Sequence, residues 1–151
     1  PTVYIFKPLK FKNRREMAKY YKLIRDVKKV LPISKEINRA IIETYEYLQT
    51  IPTEKGRQKH LKAVEKGLKE QYTPRMKKLS FSQGKLLIKL VDRQTHSTSY
   101  ELVKAFMGPF KAGFYQTFAA LFGASLKKQY DPTGDDALTE RVILMVESGQ
   151  L

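Results

Sequence analysis

Residues 83–93 read QGKLLIKLVDR, and the fold turns on how that segment is housed. Wound as a helix, Leu86, Leu87, Ile88, Leu90 and Val91 leave almost no face for water, so the segment predicts a central buried helix. Ser80 or Ser82 is placed to cap its start. The same helix carries Gln83, Lys85, Lys89, Asp92 and Arg93, several of them at the three- and four-residue spacings of helical neighbours. Ionisable groups on a buried helix must pair rather than stay bare in the core. A structural network meets that requirement. A pocket built from Asp92, Arg93 and another chain segment meets it too, and perturbed charges in a cleft are where chemistry concentrates.

Upstream, the chain reads as helices around this centre. Residues 2–6 alternate β-branched and aromatic side chains ahead of Pro8, which predicts a short extended arm, either an edge strand or a segment lying across the helices. Asn13 is an N-cap candidate, and Met17, Tyr20, Tyr21, Ile24, Val27 and Leu31 follow at helical spacing until Pro32. A second helix is expected from about Ser34, with Ile37, Ile41, Tyr45 and Leu48 on its stripe, ending before Pro52. A third is expected over 53–72, mostly solvated, with Leu61, Val64, Leu68 and Tyr72 as a narrow apolar seam.

Downstream, 95–97 reads as a polar break, and Thr98 with Glu101 as a capping box for a helix ending at Gly108 and Pro109. In 110–126, Phe110, Phe114, Phe118 and Phe122 recur every fourth residue among alanines and glycines. That helix is either core or an interaction surface for a membrane or a partner. Lys111, Lys127 and Lys128 lie only at its ends, which weakens the membrane version. The run DPTGDD at 131–136 predicts a turn and acidic capping of a terminal helix through Leu138, Val142, Ile143 and Val146. There is no internal repeat and no linker-like stretch. The expected architecture is all-α: a single compact domain of about six or seven helices spanning 13–151, with residues 1–12 as an extended N-terminal arm.

Charge divides this domain. The chain of 151 residues carries 29 Lys and Arg against 15 Asp and Glu, a net +14. Residues 1–78 hold 21 of the bases and 8 of the acids, leaving about +1 for the rest. The basic half 13–78 therefore suits an anionic surface or partner, with Arg14, Arg15, Lys28, Lys29, Lys77 and Lys78 as the candidate anion-binding residues, while 79–151 is a near-neutral core half. The first residue is Pro1 rather than Met, which reads as a trimmed or processed chain. No stretch reaches the roughly 18 apolar residues of a membrane span.

Several chemistries find no footing. With no cysteine there is no disulfide scaffold, thiolate site or cysteine nucleophile. The acidic run at 131–136 lacks the spacing of a calcium loop. His60 and His96 form no ligand pair in sequence, so no metal and no cofactor is expected. No nucleophile elbow, zinc-hydrolase motif, phosphate loop or dinucleotide fingerprint occurs. No helix-turn-helix or RNA-binding signature accompanies the basic residues, so nucleic acid is disfavoured, and charge alone supports only salt-sensitive, non-specific attraction.

The segments SQGK at 82–85, LLIKLVDR at 86–93, TSY at 98–100, FYQ at 114–116, LFG at 121–123, LK at 126–127 and YDPTGD at 130–135, with the basic helix over 20–30, resemble an uncharacterised Bacteroidetes family of domains of unknown function. The likeness spans roughly 10–146. The chain departs from the family pattern at Tyr115, where Trp is frequent, and at His96, where Gly is usual. The resemblance implies an exported, periplasmic protein of the cell envelope, and it carries over no catalytic residues.

Where family motif and residue chemistry coincide, they mark a candidate pocket of Gln83, Asp92, Arg93, Tyr130, Asp131 and Asp135. The leading expectation is a non-enzymatic helical binding or adaptor module of the envelope, engaging an anionic surface or acidic partner through the basic half. An envelope-polymer hydrolase using Asp92 with Asp131 or Asp135, and Arg93 on an anionic group, is the alternative. A non-specific nucleic-acid binder is the third.

Overall fold

The chain becomes helical where Asn13 caps it. In the computed structural model, which describes residues 2–97, Gln116, Ala120 and 130–151, the extended Asn13 accepts the Glu16 N–H on Oδ1 at 2.9 Å, the geometry of a helix N-cap. Helix α1 then runs over Arg14–Leu48, 35 residues, or about 52 Å at 1.5 Å per residue. Its buried stripe of Val27, Val30, Leu31, Ile37 and Ile41 packs most extensively on the dense apolar helix α3, Phe81–Ser97.

The stop expected at Pro32 does not occur, because Pro32 lies inside α1. Two expected helices are therefore one. A proline there withholds an N–H from the Lys28 carbonyl and crowds it, at a cost of about 3 kcal/mol. Burial of Val27, Val30 and Leu31 before it and Ile33, Ile37 and Ile41 after it on one continuous face outweighs that, at about 1.5–3 kcal/mol for each large side chain. Pro32 itself is exposed, so water reaches the freed carbonyl. In the same turn the fully buried Ser34 hydroxyl donates to the Leu31 carbonyl at 2.8 Å.

Helix α2, Glu54–Lys77, is capped by Thr53, whose Oγ1 accepts the Gly56 N–H at 3.1 Å. It buries only Leu68, Tyr72 and Met76, the narrow seam expected of a solvated helix. It too runs past its expected end, through Pro74 to Lys77, because Met76 and then Leu79 have core positions to fill. Glu36 of α1 accepts a hydrogen bond from Arg75 at 2.6 Å, and the Arg75 guanidinium lies over the Tyr72 ring. This fixes α2 to α1 at the end where α2 is anchored.

Of the two candidate caps for α3, the geometry selects Ser80. Its Oγ accepts the Gln83 N–H at 3.2 Å while Gln83 Oε1 accepts the Ser80 N–H at 3.1 Å, a reciprocal capping box. Leu87, Ile88, Leu90 and Val91 are buried, and α3 continues helically through 95–97, where a break was expected.

The last helix, α4, spans Ala137–Glu147, buries Val142 and Ile143 and packs against α1. It ends in a Schellman motif, with Gln150 N–H on the Met145 carbonyl, Gly149 N–H on the Val146 carbonyl and Gly149 at φ +78°. Among the described residues there are thus four helices and no strand, and six or seven are not supported. The expected helices over 98–107 and 110–126 lie outside the described residues, apart from Gln116 and Ala120, which are helical and exposed.

The N-terminal arm lies across α4 rather than pairing as a strand. The Arg141 guanidinium sits 4.9 Å from the Phe6 ring centroid and donates to the Lys7 carbonyl at 2.7 Å, while Leu9 and Phe11 pack against the core.

Leu87 tests the central role of α3. Leu87→Ala is expected to cost about 2–5 kcal/mol, against less than about 0.5 kcal/mol for Lys62→Ala on the exposed face of α2. Urea denaturation of the two variants measures the difference.

Candidate functional site

On α3, Lys89 and Arg93 stand one turn apart, and at the start of α4 Asp136 and Glu140 stand one turn apart. The structure pairs them rung by rung. Lys89 Nζ meets Asp136 Oδ1 at 2.5 Å, while Arg93 donates from Nε and Nη2 to the two oxygens of Glu140 at 2.7 and 3.0 Å. The order of the pairs means that α3 and α4 point the same way here. Arg93 also lies 3.6 Å from Glu147, about two further turns along α4. The second arm of this frame is Asp92, only 1 % exposed, whose Oδ2 accepts the Tyr130 N–H at 2.7 Å. The Tyr130 hydroxyl donates back to Glu140 at 2.6 Å.

Burial works against the Glu140 charge, but the hydrogen bonds from Arg93 and Tyr130 outweigh it and hold the carboxyl below its ordinary value. Burial, and then the bond to Glu140, push the Tyr130 phenol far above its ordinary value. Burial also opposes the Arg93 charge, and the Glu140 carboxylate more than restores it. Each of these ionisable groups thus has a partner of good geometry, as burial requires.

The acidic turn completes it. Asp136 Oδ2 accepts the Asp131 N–H at 2.9 Å, and the Asp131 carbonyl accepts the N–H groups of Gly134 and Asp136. Asp136 is the N-cap residue of α4, yet its side chain makes no cap hydrogen bond. Both of its oxygens are spent on Asp131 and Lys89, so acidic capping as expected gives way to a tie between turn and α3.

Of the candidate pocket, the structure brings Asp92 and Tyr130 into direct contact and joins Arg93 to Tyr130 through Glu140. Asp131 and Asp135 are exposed in the turn. Gln83 stands at the other end of α3, where its Nε2 donates to Asp26 Oδ1 at 3.0 Å. Asp26, Asp136 and Glu140 were not singled out from sequence. The signal for the last two was present: two acids four residues apart match two bases four residues apart on the buried helix.

A second feature lies at the Gln83 end. Lys19, Lys22, Leu23 and Asp26 of α1, Ser82, Lys85, Leu86 and Lys89 of α3, and Asp136 and Thr139 at the start of α4 line an open groove of about 300 Å³. Lys22 Nζ donates to Asp26 at 2.7 Å and to Ser82 Oγ at 2.8 Å. The six anion-binding candidates Arg14, Arg15, Lys28, Lys29, Lys77 and Lys78 are all exposed, and none forms an ion pair among the described residues. No group of three or more His, Asp or Glu converges as a metal centre would require, again among the described residues.

Residues 1–145 match the family model described as Domain of unknown function (DUF4294). No curated protein and no solved structure matches the chain.

Breaking the network by Arg93→Ala or Glu140→Ala is expected to cost about 1.5–3 kcal/mol, since each leaves charged hydrogen-bonding partners unmet. Because the folded-state Glu140 carboxyl sits below its ordinary value of 4.5, its contribution is full above that pH and fades as the pH falls through the folded value. Thermal melts between neutral and acid pH should show a loss below about pH 4.5 that is shallower in Glu140→Gln.

Proposed function

The chain belongs to the DUF4294 family of domains of unknown function, and we propose that it is a non-enzymatic helical binding module that engages an anionic surface or partner through its basic N-terminal half. One observation carries this reading: the charges are sorted. The carboxylates of Asp92, Asp136 and Glu140 are consumed by partners inside the fold, while most basic residues of α1 and α2 are exposed and form no ion pair among the described residues. A protein that neutralised those bases for its own stability would have arranged them otherwise, since exposed ion pairs contribute little and an unpaired basic surface is an electrostatic attractor.

The setting we propose is the bacterial cell envelope, on the periplasmic side, with lipid headgroups, lipopolysaccharide phosphates or an acidic protein as the anionic element. None of the described helices is long and apolar enough to cross a membrane, which suits contact with a surface. The hydrolase alternative with Asp92 and Asp131 or Asp135 draws no support from Asp92, whose carboxylate is buried and holds the Tyr130 N–H. A general acid or nucleophile needs reach to substrate.

Co-sedimentation with vesicles tests the proposal. Recovery with anionic vesicles at low salt should exceed that with neutral vesicles and fall as salt rises. Replacing Arg14, Arg15, Lys28 and Lys29 together by Gln should weaken it at least about a hundredfold, at roughly 1 kcal/mol per basic residue near the surface. Equal recovery on both vesicle types at low salt would sink the lipid version, and preferential retention on an oligonucleotide would favour the nucleic-acid reading.

A further inference from the structure

The groove between α1, α3 and the start of α4 has a chemistry that the diffuse basic surface lacks. We propose that it is a discrete binding site for a dianionic phosphate, either free or as a phosphate monoester, held by Lys19, Lys22, Lys85 and Lys89. The inference goes beyond the reading above, because a pocket for one phosphate stands or falls separately from a charged patch that attracts any polyanion.

Four ammonium groups and two carboxylates line this groove, an excess of two positive charges, and a phosphate monoester carries about −1.5 to −2 at neutral pH. Each oxygen of both carboxylates already accepts a hydrogen bond. Asp26 accepts from Lys22 and Gln83, and Asp136 accepts from Lys89 and the Asp131 backbone. They therefore act as posts that hold Lys22 and Lys89 in place, with their repulsion toward an incoming anion largely cancelled. Each of those two ammonium groups still has a donor to spare, since an ammonium carries three and Lys22 spends two of them on Asp26 and Ser82. Lys19 and Lys85 line the groove and form no ion pair among the described residues, so no carboxylate there competes for their donors.

The groove's third wall adds a favourable field. Asp136 and Thr139 belong to the N-terminal turn of α4, an 11-residue helix with no side-chain cap. The positive end of the helix favours an anion there. The volume of about 300 Å³ lies at the small end of ligand clefts, which fits a phosphate with little attached. Leu23 and Leu86 give the floor an apolar patch that shields the lysines from bulk water on one side and strengthens their pull.

The test uses the full chain and inorganic phosphate at constant ionic strength, followed by two-dimensional NMR. Saturable shifts confined to the groove are expected. Lys19→Gln with Lys85→Gln should weaken binding about tenfold or more, the loss of charged hydrogen bonds, without moving the thermal midpoint, because neither residue supports the fold through a pair. Lys28→Gln with Lys29→Gln, which reduces the diffuse surface, should change phosphate affinity less than about twofold. Lys85→Glu is the second variant and should abolish binding. A second arm compares vesicles bearing phosphomonoester headgroups with vesicles of equal charge bearing phosphodiester headgroups. A preference for the former that Lys85→Glu removes identifies a lipid as the source, and free-phosphate binding without such a preference identifies a soluble one. Non-saturating shifts spread over α1 and α2, or equal weakening by the two pairs of substitutions, overturn the proposal while leaving the surface reading intact.

Discussion

A helix buried on as many sides as α3 cannot leave Lys89, Asp92 and Arg93 uncompensated, and the rest of the described chain answers that constraint. Desolvating three ionisable groups costs several kcal/mol apiece unless each finds a partner of good geometry. Among the described residues, partners come from beyond 129: the Tyr130 N–H for Asp92, Asp136 for Lys89 and Glu140 for Arg93. Because two of these lie one turn apart on each helix, satisfying them also sets the direction and register of α4 beside α3. Charge pairing here adds little net stability over apolar packing, but it allows few alternative registers.

The same pairing explains the sorting of charge across the molecule. Asp92, Asp136 and Glu140 of the C-terminal half are withdrawn into the frame while Asp131 and Asp135 stay exposed, so the near-neutral count of that half conceals acids that are engaged inside the fold. The basic half has no comparable internal demand. Asp26 and Glu36 each take one or two partners, and the remaining lysines and arginines of α1 and α2 are left at the surface. The groove lined by Lys19, Lys22, Lys85 and Lys89 is where the two regimes meet: lysines held by buried acids stand beside lysines with no ion pair among the described residues.

Much of the helical layout was legible in the residues. Asn13 as a cap, the dense apolar run 86–91, the solvated character of α2 and the terminal helix all follow from local pattern, because period and capping are read within a few residues. Pro32 and Pro74 misled for the same reason. A proline's local penalty is visible in sequence, whereas the burial on either side that outweighs it depends on what the helix packs against. The requirement that Lys89, Asp92 and Arg93 pair was also legible. Which groups would meet them was not, since Asp92 takes a backbone N–H, for which no side-chain pattern exists, and Gln83 turned out to serve the opposite end of α3.

By itself, then, the sequence determined that the chain is helical, that its centre is 86–91 and that its excess charge is N-terminal, because each of these is a property of spacing or of counting. Only the tertiary structure decided that α1 runs unbroken past Pro32, that Asp92 serves the backbone at Tyr130, and that four lysines from two helices converge on one groove. Those outcomes depend on groups 38 to 70 residues apart in sequence being brought together, and burial against a partner, rather than any local preference, decides which of them are.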